Sequence, residues 1–309
     1  MTTLEMHWNP GAEDCSAYTG PPLEVHPLDA RTFVLRESLC ATWEAPFMYL
    51  LVGQERGLLI DTGDVADPGK VPLASTVLGM LPSDARGKLP LLVVHSHSHT
   101  DHRAGDPQFE GLPGVRVVPA DLDHVREYFG FTDWPNGTAH VDLGGRRVDV
   151  LPAPGHSPAH LLFYDQDAGF LFSGDFLMPG RLLVNDFGAY LATAQRIAEL
   201  LKDRPVSLVL GGHVEKDREG KLLPWQSTVH PGERPLPLAR ADVVALPAAL
   251  RGFNGFYSET PDFVIMNPTR NLVAMGMVVV VVLTAIAVMV RRVVRRRRRR
   301  QAGASSLAG

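Results

Sequence analysis

Short apolar or alternating runs recur through the first two-thirds of the chain, each closed by glycine, aspartate or proline. The stretches TFVLRES, FMYLLVG, GLLIDTG, LPLLVVHS and VRVVPA have the length and punctuation of half-buried or fully buried strands. HVDLGGRRVDVLP sets Gly144 and Gly145 between two alternating arms, and HLLFYDQDAGFLFSGD sets residues 165–169 between two apolar arms, so each predicts a hairpin. Over residues 188–204 the period changes. Leu191, Ala194, Ile197, Ala198, Leu200 and Leu201 recur at helical spacing and predict an amphipathic helix leading into the strand VSLVLGGH. Strands interleaved with helix make an α/β body over residues 1–250. Within it the proline-rich residues 224–247 predict irregular covering structure, and residues 251–271 read as a linker.

Residues 272–290, LVAMGMVVVVVLTAIAVMV, run for 19 positions without a charge, close to the roughly 20 that cross a bilayer as a helix. An arginine-rich tail, 291–309, follows at once, which a core helix seldom does. The chain is therefore expected to be a single-pass membrane protein with a C-terminal anchor.

With 309 residues, 45% hydrophobic and 21% charged, the composition is globular and permits one large domain. The formal charge of −4 hides an asymmetry: eight arginines lie within residues 291–300, leaving 22 basic residues against 34 acidic ones elsewhere. So acidic a body is a poor polyanion binder, and nucleic acid is not expected as a partner. Two cysteines, Cys15 and Cys40, make neither a disulfide framework nor a thiolate zinc site, and both read as ordinary thiols. The start, MTTLEMHWNP, lacks a signal-peptide pattern, which argues for a cytoplasmic domain although the arginines would by themselves keep the tail inside.

The stretch VVHSHSHTDHRAGD ends an apolar strand in a loop crowded with imidazoles. Such carboxyl-terminal strand ends present ligands in α/β sheets. His97, His99, Asp101 and His102 cannot surround an ion from one tight loop, so partners must come from elsewhere. LPAPGHSPAH supplies His156, FLFSGDFL supplies Asp175 and LVLGGHVE supplies His213. Imidazole and carboxylate without thiolate suit zinc, and also iron or manganese.

The ordered set IDTG, HSHSHTDH, PGHSPAH, SGD and GGH, spread over residues 33–215, resembles the metallo-β-lactamase superfamily, in particular its glyoxalase II-like hydrolases. That resemblance implies a four-layer αββα sandwich with two zinc ions in a cleft along one edge. His97, His99 and His156 would hold one ion, Asp101, His102 and His213 the other, and Asp175 would bridge them. Asp61 would orient the metal loop and His160 would support His156, while His95 falls outside the register. His7, His26, His124, His140 and His230 have no partner in the pattern and read as surface or satisfied histidines.

Two such ions, about 3.5–4 Å apart, lower the pKa of a shared water toward roughly 7. The resemblance thus implies a hydroxide that attacks the carbonyl of an ester, thioester or lactone in a small molecule, with Asp101 and Asp175 as the catalytic carboxylates. The segment after residue 215 does not match the glutathione-binding part of glyoxalase II. A lactonase would add a tyrosine, for which Tyr190 is available. An iron persulfide dioxygenase would use only His97, His156 and Asp175, and a catalytically dead scaffold is disfavoured because all seven ligand positions are filled.

Overall fold

The computed structural model of the chain describes residues 6–84 and 87–305, so the first five and last four residues lie outside the described residues. It divides into a body ending at Met266 and a C-terminal unit beginning at Asn267.

In the body, β1 (Leu23–Asp29), β2 (Thr32–Glu37), β3 (Phe47–Val52) and β4 (Gly57–Ile60) form an antiparallel meander, followed by helix α1 (Leu73–Met80) and a small hairpin of β5 (Ser83–Asp84) and β6 (Gly87–Lys88). Strands β7 (Leu91–Val94) and β8 (Val115–Val117) join in parallel, giving the order β1-β2-β3-β4-β7-β8. After helix α2 (Leu122–Phe129) the second sheet is built from β9 (Ala139–Asp142), β10 (Arg147–Pro152), β11 (Leu161–Asp165) and β12 (Phe170–Gly174). Then come β13 (Arg181–Leu183), helix α3 (Phe187–Leu200) and β14 (Leu208–Gly211), which pairs in parallel with β12 to give β14-β12-β11-β10-β9. Both predicted hairpins are present, as β9–β10 and β11–β12.

Strand alternation explains why the two sheets stack and why their sequences read as continuous apolar runs. Val34, Phe47, Tyr49, Leu58, Val148, Val150, Leu161, Phe163 and Phe172 point into the core between the sheets. Their neighbours Leu35, Met48, Leu50, Leu59, Leu91 and Val93 face the other way, onto α1. On the far side Leu151, Leu162, Tyr164, Leu171 and Val209 pack with Tyr190, Ala194 and Ile197 of α3. Both faces of each sheet are therefore buried, which requires apolar side chains at successive positions. This is the expected four-layer αββα sandwich.

Four readings change. The proline-rich segment holds helix α4 (Arg240–Arg251), whose buried positions Val243, Leu246, Pro247 and Leu250 have helical spacing that the proline count masks. The presumed linker contributes β15 (Tyr257–Glu259) and β16 (Val264–Met266), and β16 pairs with β13. Its apolar triplet is shorter than a strand recognisable by pattern alone. Helix α3 ends at Leu200 rather than residue 204, where the following Pro205 disfavours helical backbone.

The fourth change is the cysteines: Cys15 and Cys40 form a disulfide, with Cα atoms 5.2 Å apart. Counting cysteines cannot reveal that the N-terminal arm folds back beside residues 38–41. The arm also bridges Gly11 to Val229, and Arg36 in β2 makes a bidentate pair with Glu233 at 2.7 and 2.8 Å. Closing a 25-residue separation stabilises the fold by about 3.5 kcal/mol in the loop-entropy model. Reduction, or Cys40→Ser, is expected to lower the midpoint of thermal unfolding by roughly 7–14 °C. An unchanged midpoint with and without reductant would show that the bridge contributes nothing.

The C-terminal unit is one helix, α5 (Pro268–Ser305). Its residues 268–295 are long and apolar enough to cross a membrane, with a mean hydropathy of 2.9 over the most apolar window.

Candidate metal centre

All seven predicted ligand residues converge on one edge of the sandwich. The first sheet contributes His97, His99, Asp101 and His102 from the loop after β7. The second contributes His156 after β10, Asp175 after β12 and His213 after β14, so every one sits beyond the carboxyl end of a strand.

The residues form two groups. His97 Nε2 lies 2.9 Å and His156 Nε2 3.1 Å from His99 Nδ1. In the second group His102 Nε2 and His213 Nε2 are 3.3 Å apart, and each is 3.2 Å from Asp101 Oδ2. Asp175 faces both: Oδ1 is 3.4 Å from His102 Nε2 and 3.6 Å from His213 Nε2, while Oδ2 is 3.7 Å from His156 Nε2 and 3.9 Å from His97 Nε2.

Outer partners set which ring nitrogens face inward. His156 Nδ1 donates to Leu183 O, which leaves its neutral Nε2 as a bare lone pair aimed at its group, and His213 Nδ1 donates to Glu44 O, which turns its Nε2 toward the other group. His102 Nδ1 donates to Asp61 Oδ2. Asp61 also accepts from Ser96 N at 2.6 Å and from Ser96 Oγ at 2.8 Å, and it adopts a left-handed backbone (φ 68°) to do so. That conformation is strained for a residue with a Cβ. Two glycines allow the close approach. A Cβ on Gly212 would stand 2.3 Å from Asp175 Oδ1, and one on Gly155 would stand 2.4 Å from the Tyr190 Cα.

The cluster fits cations. Converging nitrogen lone pairs repel one another unless a positive charge lies between them, and the buried Asp175 Oδ1 has no hydrogen-bond partner among the described residues. Burial, reinforced by neighbouring imidazoles, holds His97 well below its usual pKa, and burial takes His156 to about 4, so both rings are neutral at pH 7. At the other group burial opposes charge, but Asp175 and Asp101 lift His213 to about 9, and Asp101, Asp175 and Asp61 lift His102 well above its usual value. Conversely Asp175 is held below the usual carboxylate range, despite its burial, by His102 and His213. The carboxylates thus draw positive charge to this spot, and a set of five imidazoles and two carboxylates suits zinc-like ions.

Other sequence-singled residues fall outside the groups. His95 is held between Val118 O and Asp106 Oδ1. His160 does not hydrogen-bond to His156; it stacks on His97 with ring centroids 5.0 Å apart. Tyr190 is fully buried, donates to Phe176 O and stacks on that ring, so it cannot reach a substrate. Ser96, Asn185 (which donates to His156 O) and the Leu183 and Glu44 carbonyls were not foreseen. Backbone carbonyls leave no side-chain signal in a sequence.

A family model described as the metallo-beta-lactamase superfamily matches residues 41–213. The acyl-coenzyme A thioesterase MBLAC2 of Gallus gallus is 27% identical over 221 residues, covering 60% of this chain and 79% of that protein. The hydroxyacylglutathione hydrolase of Rhodobacter capsulatus is 33% identical over 166 residues, covering 52% of this chain and 61% of its own length. Among solved structures, the metallo-beta-lactamase from Pontibacter korlensis superposes with a TM-score of 0.52 at 17% identity, covering 75% of this chain and all of that one, a likeness of fold.

Proposed function

The chain belongs to the metallo-beta-lactamase superfamily and is a metal-dependent hydrolase within it, and from that premise we propose that it uses two zinc ions to cleave an ester, thioester or lactone of a small molecule while held on a membrane by α5. The observation that carries the reading is the pair of adjoining donor groups, with Asp175 a member of the second and its Oδ2 3.7 and 3.9 Å from His156 and His97 of the first. His97, His99 and His156 would hold one ion and Asp101, His102 and His213 the other.

When bound, such ions polarise a carbonyl oxygen and make a hydroxide available near pH 7. The protein supplies the arrangement. Asp175, facing both groups, offsets the doubled charge and keeps the two sites in register. The Asp101 side chain, more open than Asp175 at 19% exposure against 10%, is placed to orient the attacking water. Leu183 O, Glu44 O and Asp61 fix the rings so that nothing need reorganise as charge develops on the substrate.

A single-iron oxygenase built on His97, His156 and Asp175 would leave Asp101, His102 and His213 crowded at 3.2–3.3 Å with no ion to hold. The thioesterase and glutathione-thioester hydrolase names of the relatives favour thioesters among the three bonds. Protein purified without added metal is expected to carry two zincs per chain and to hydrolyse at least one member of an ester, thioester and lactone panel. One iron per chain with no hydrolysis would overturn this function.

A further inference from the structure

We infer that α5 crosses a bilayer with its arginine-rich end on the inner, anionic side, so that the catalytic body works on the opposite, oxidising side. This rests on the membrane reading of α5 and not on the reaction assigned to the metal centre.

Three independent observations meet here. First, the apolar side chains of α5 are not buried by the protein: Leu272, Val281 and Met289 are 65, 67 and 66% exposed. A helix apolar all round and uncovered needs a lipid environment.

Second, the flanks differ sharply in charge. Residues 291–300 hold eight arginines and no acid, whereas residues 252–271 hold Glu259, Asp262 and Arg270. Arginine close to the end of a spanning helix is retained on the cytoplasmic side, where anionic lipids also attract it. The body has the opposite character, with 22 basic residues against 34 acidic ones once the arginine block is set aside, and an anionic surface repels it.

Third, the only two cysteines in the chain are joined to each other, leaving no free thiol. Both are only partly buried, so a reducing pool could reach them. Bridges within reach of solvent persist where thiols are oxidised and are rare in the cytosol. The disulfide and the arginines sit at opposite ends of the chain and answer to different chemistry, oxidation and charge. Both put the body outside, which reverses the cytoplasmic placement expected from the start of the sequence. The substrate is then a carbonyl compound that reaches the outer face.

The test uses the full chain in its own cells, stripped of any outer wall. The chain should stay with the membrane pellet through alkaline carbonate, and protease added to the intact cells should remove the body. A membrane-impermeant maleimide should label Cys15 and Cys40 in those cells only after a reductant is added. Replacing all eight arginines of residues 291–300 with glutamine should leave part of the population protected from the protease, since the orientation signal is gone. A soluble full-length chain would overturn the inference, as would a body digested only after lysis or cysteines labelled without reductant. None of these readouts depends on turnover, so the hydrolase reading stands or falls separately.

Discussion

Replacing His156 with alanine is expected to remove at least one of two bound ions and to lower kcat/KM by more than about 100-fold, since even the outer partners of such ligands are worth 10- to 100-fold. The ring is held by Leu183 O on one nitrogen and converges with His97 and His99 through the other. Its loss takes one of three imidazoles from that group, leaving His97 and His99 with Asp175 Oδ2 3.9 Å from His97 Nε2, and fewer protein donors hold an ion more weakly. Because the groups draw on both sheets, ions held there would also cross-link the sandwich, and stability should rise with free metal as RT ln(1 + [M]/Kd). The variant should therefore unfold at a lower temperature than the parent in zinc, and at nearly the same temperature in chelator. Metal content by atomic emission and paired melting curves decide it. A folded His156→Ala that retains both ions would strike His156 from the ligand set.

The largest effect on stability is expected at Arg146. Its guanidinium is buried at the end of the β9–β10 turn, where Nε and Nη2 reach Asp165 Oδ2 at 3.0 and 2.5 Å. Nη1 donates to Arg31 O at 2.8 Å and Nη2 to Thr32 Oγ1 at 2.6 Å, so one side chain ties the second sheet to the β1–β2 turn of the first. Asp165→Ala strands a positive charge in the interior. It should cost about 3–5 kcal/mol, or roughly 6–20 °C in the unfolding midpoint. The double variant Arg146→Met with Asp165→Leu removes both charges and should recover most of that loss. Equal melting of Asp165→Ala and the parent would mean that the pair contributes nothing.

The side chains of the candidate metal centre were legible because such chemistry demands side-chain nitrogen and oxygen at strand ends, and strands of buried apolar runs announce where they end. Asp175 follows such a run directly, and His213 and His97 come two and three residues after theirs. What escaped the sequence depends on distance in space rather than along the chain. Cys15 meets Cys40, and Val264 to Met266 become a strand only because β13 lies ready to pair with them. Helix α4 was hidden for a different reason, since proline at a buried helical position reads as a breaker until the flanking Val243, Leu246 and Leu250 are counted by period. Tyr190 shows the converse: a tyrosine near the right motifs faces inward because Gly155 lets its backbone close onto the turn.

The pairing of Arg36 with Glu233 also sets an order of events during synthesis. The two residues are 197 positions apart, and the Gly11–Val229 bridge spans a similar stretch of chain. At about 5–20 residues per second, roughly 10–40 s pass between the emergence of Arg36 and that of its partner. Throughout that interval an arginine destined for burial, beside the rings of Trp8 and Phe47, has no counter-charge, and Gly11 in the N-terminal arm has no Val229 to bridge to. The first sheet can collapse early, but its edge stays unlatched until residues 228–233 arrive. Completion of the body is thus a late event that waits on nearly the whole polypeptide.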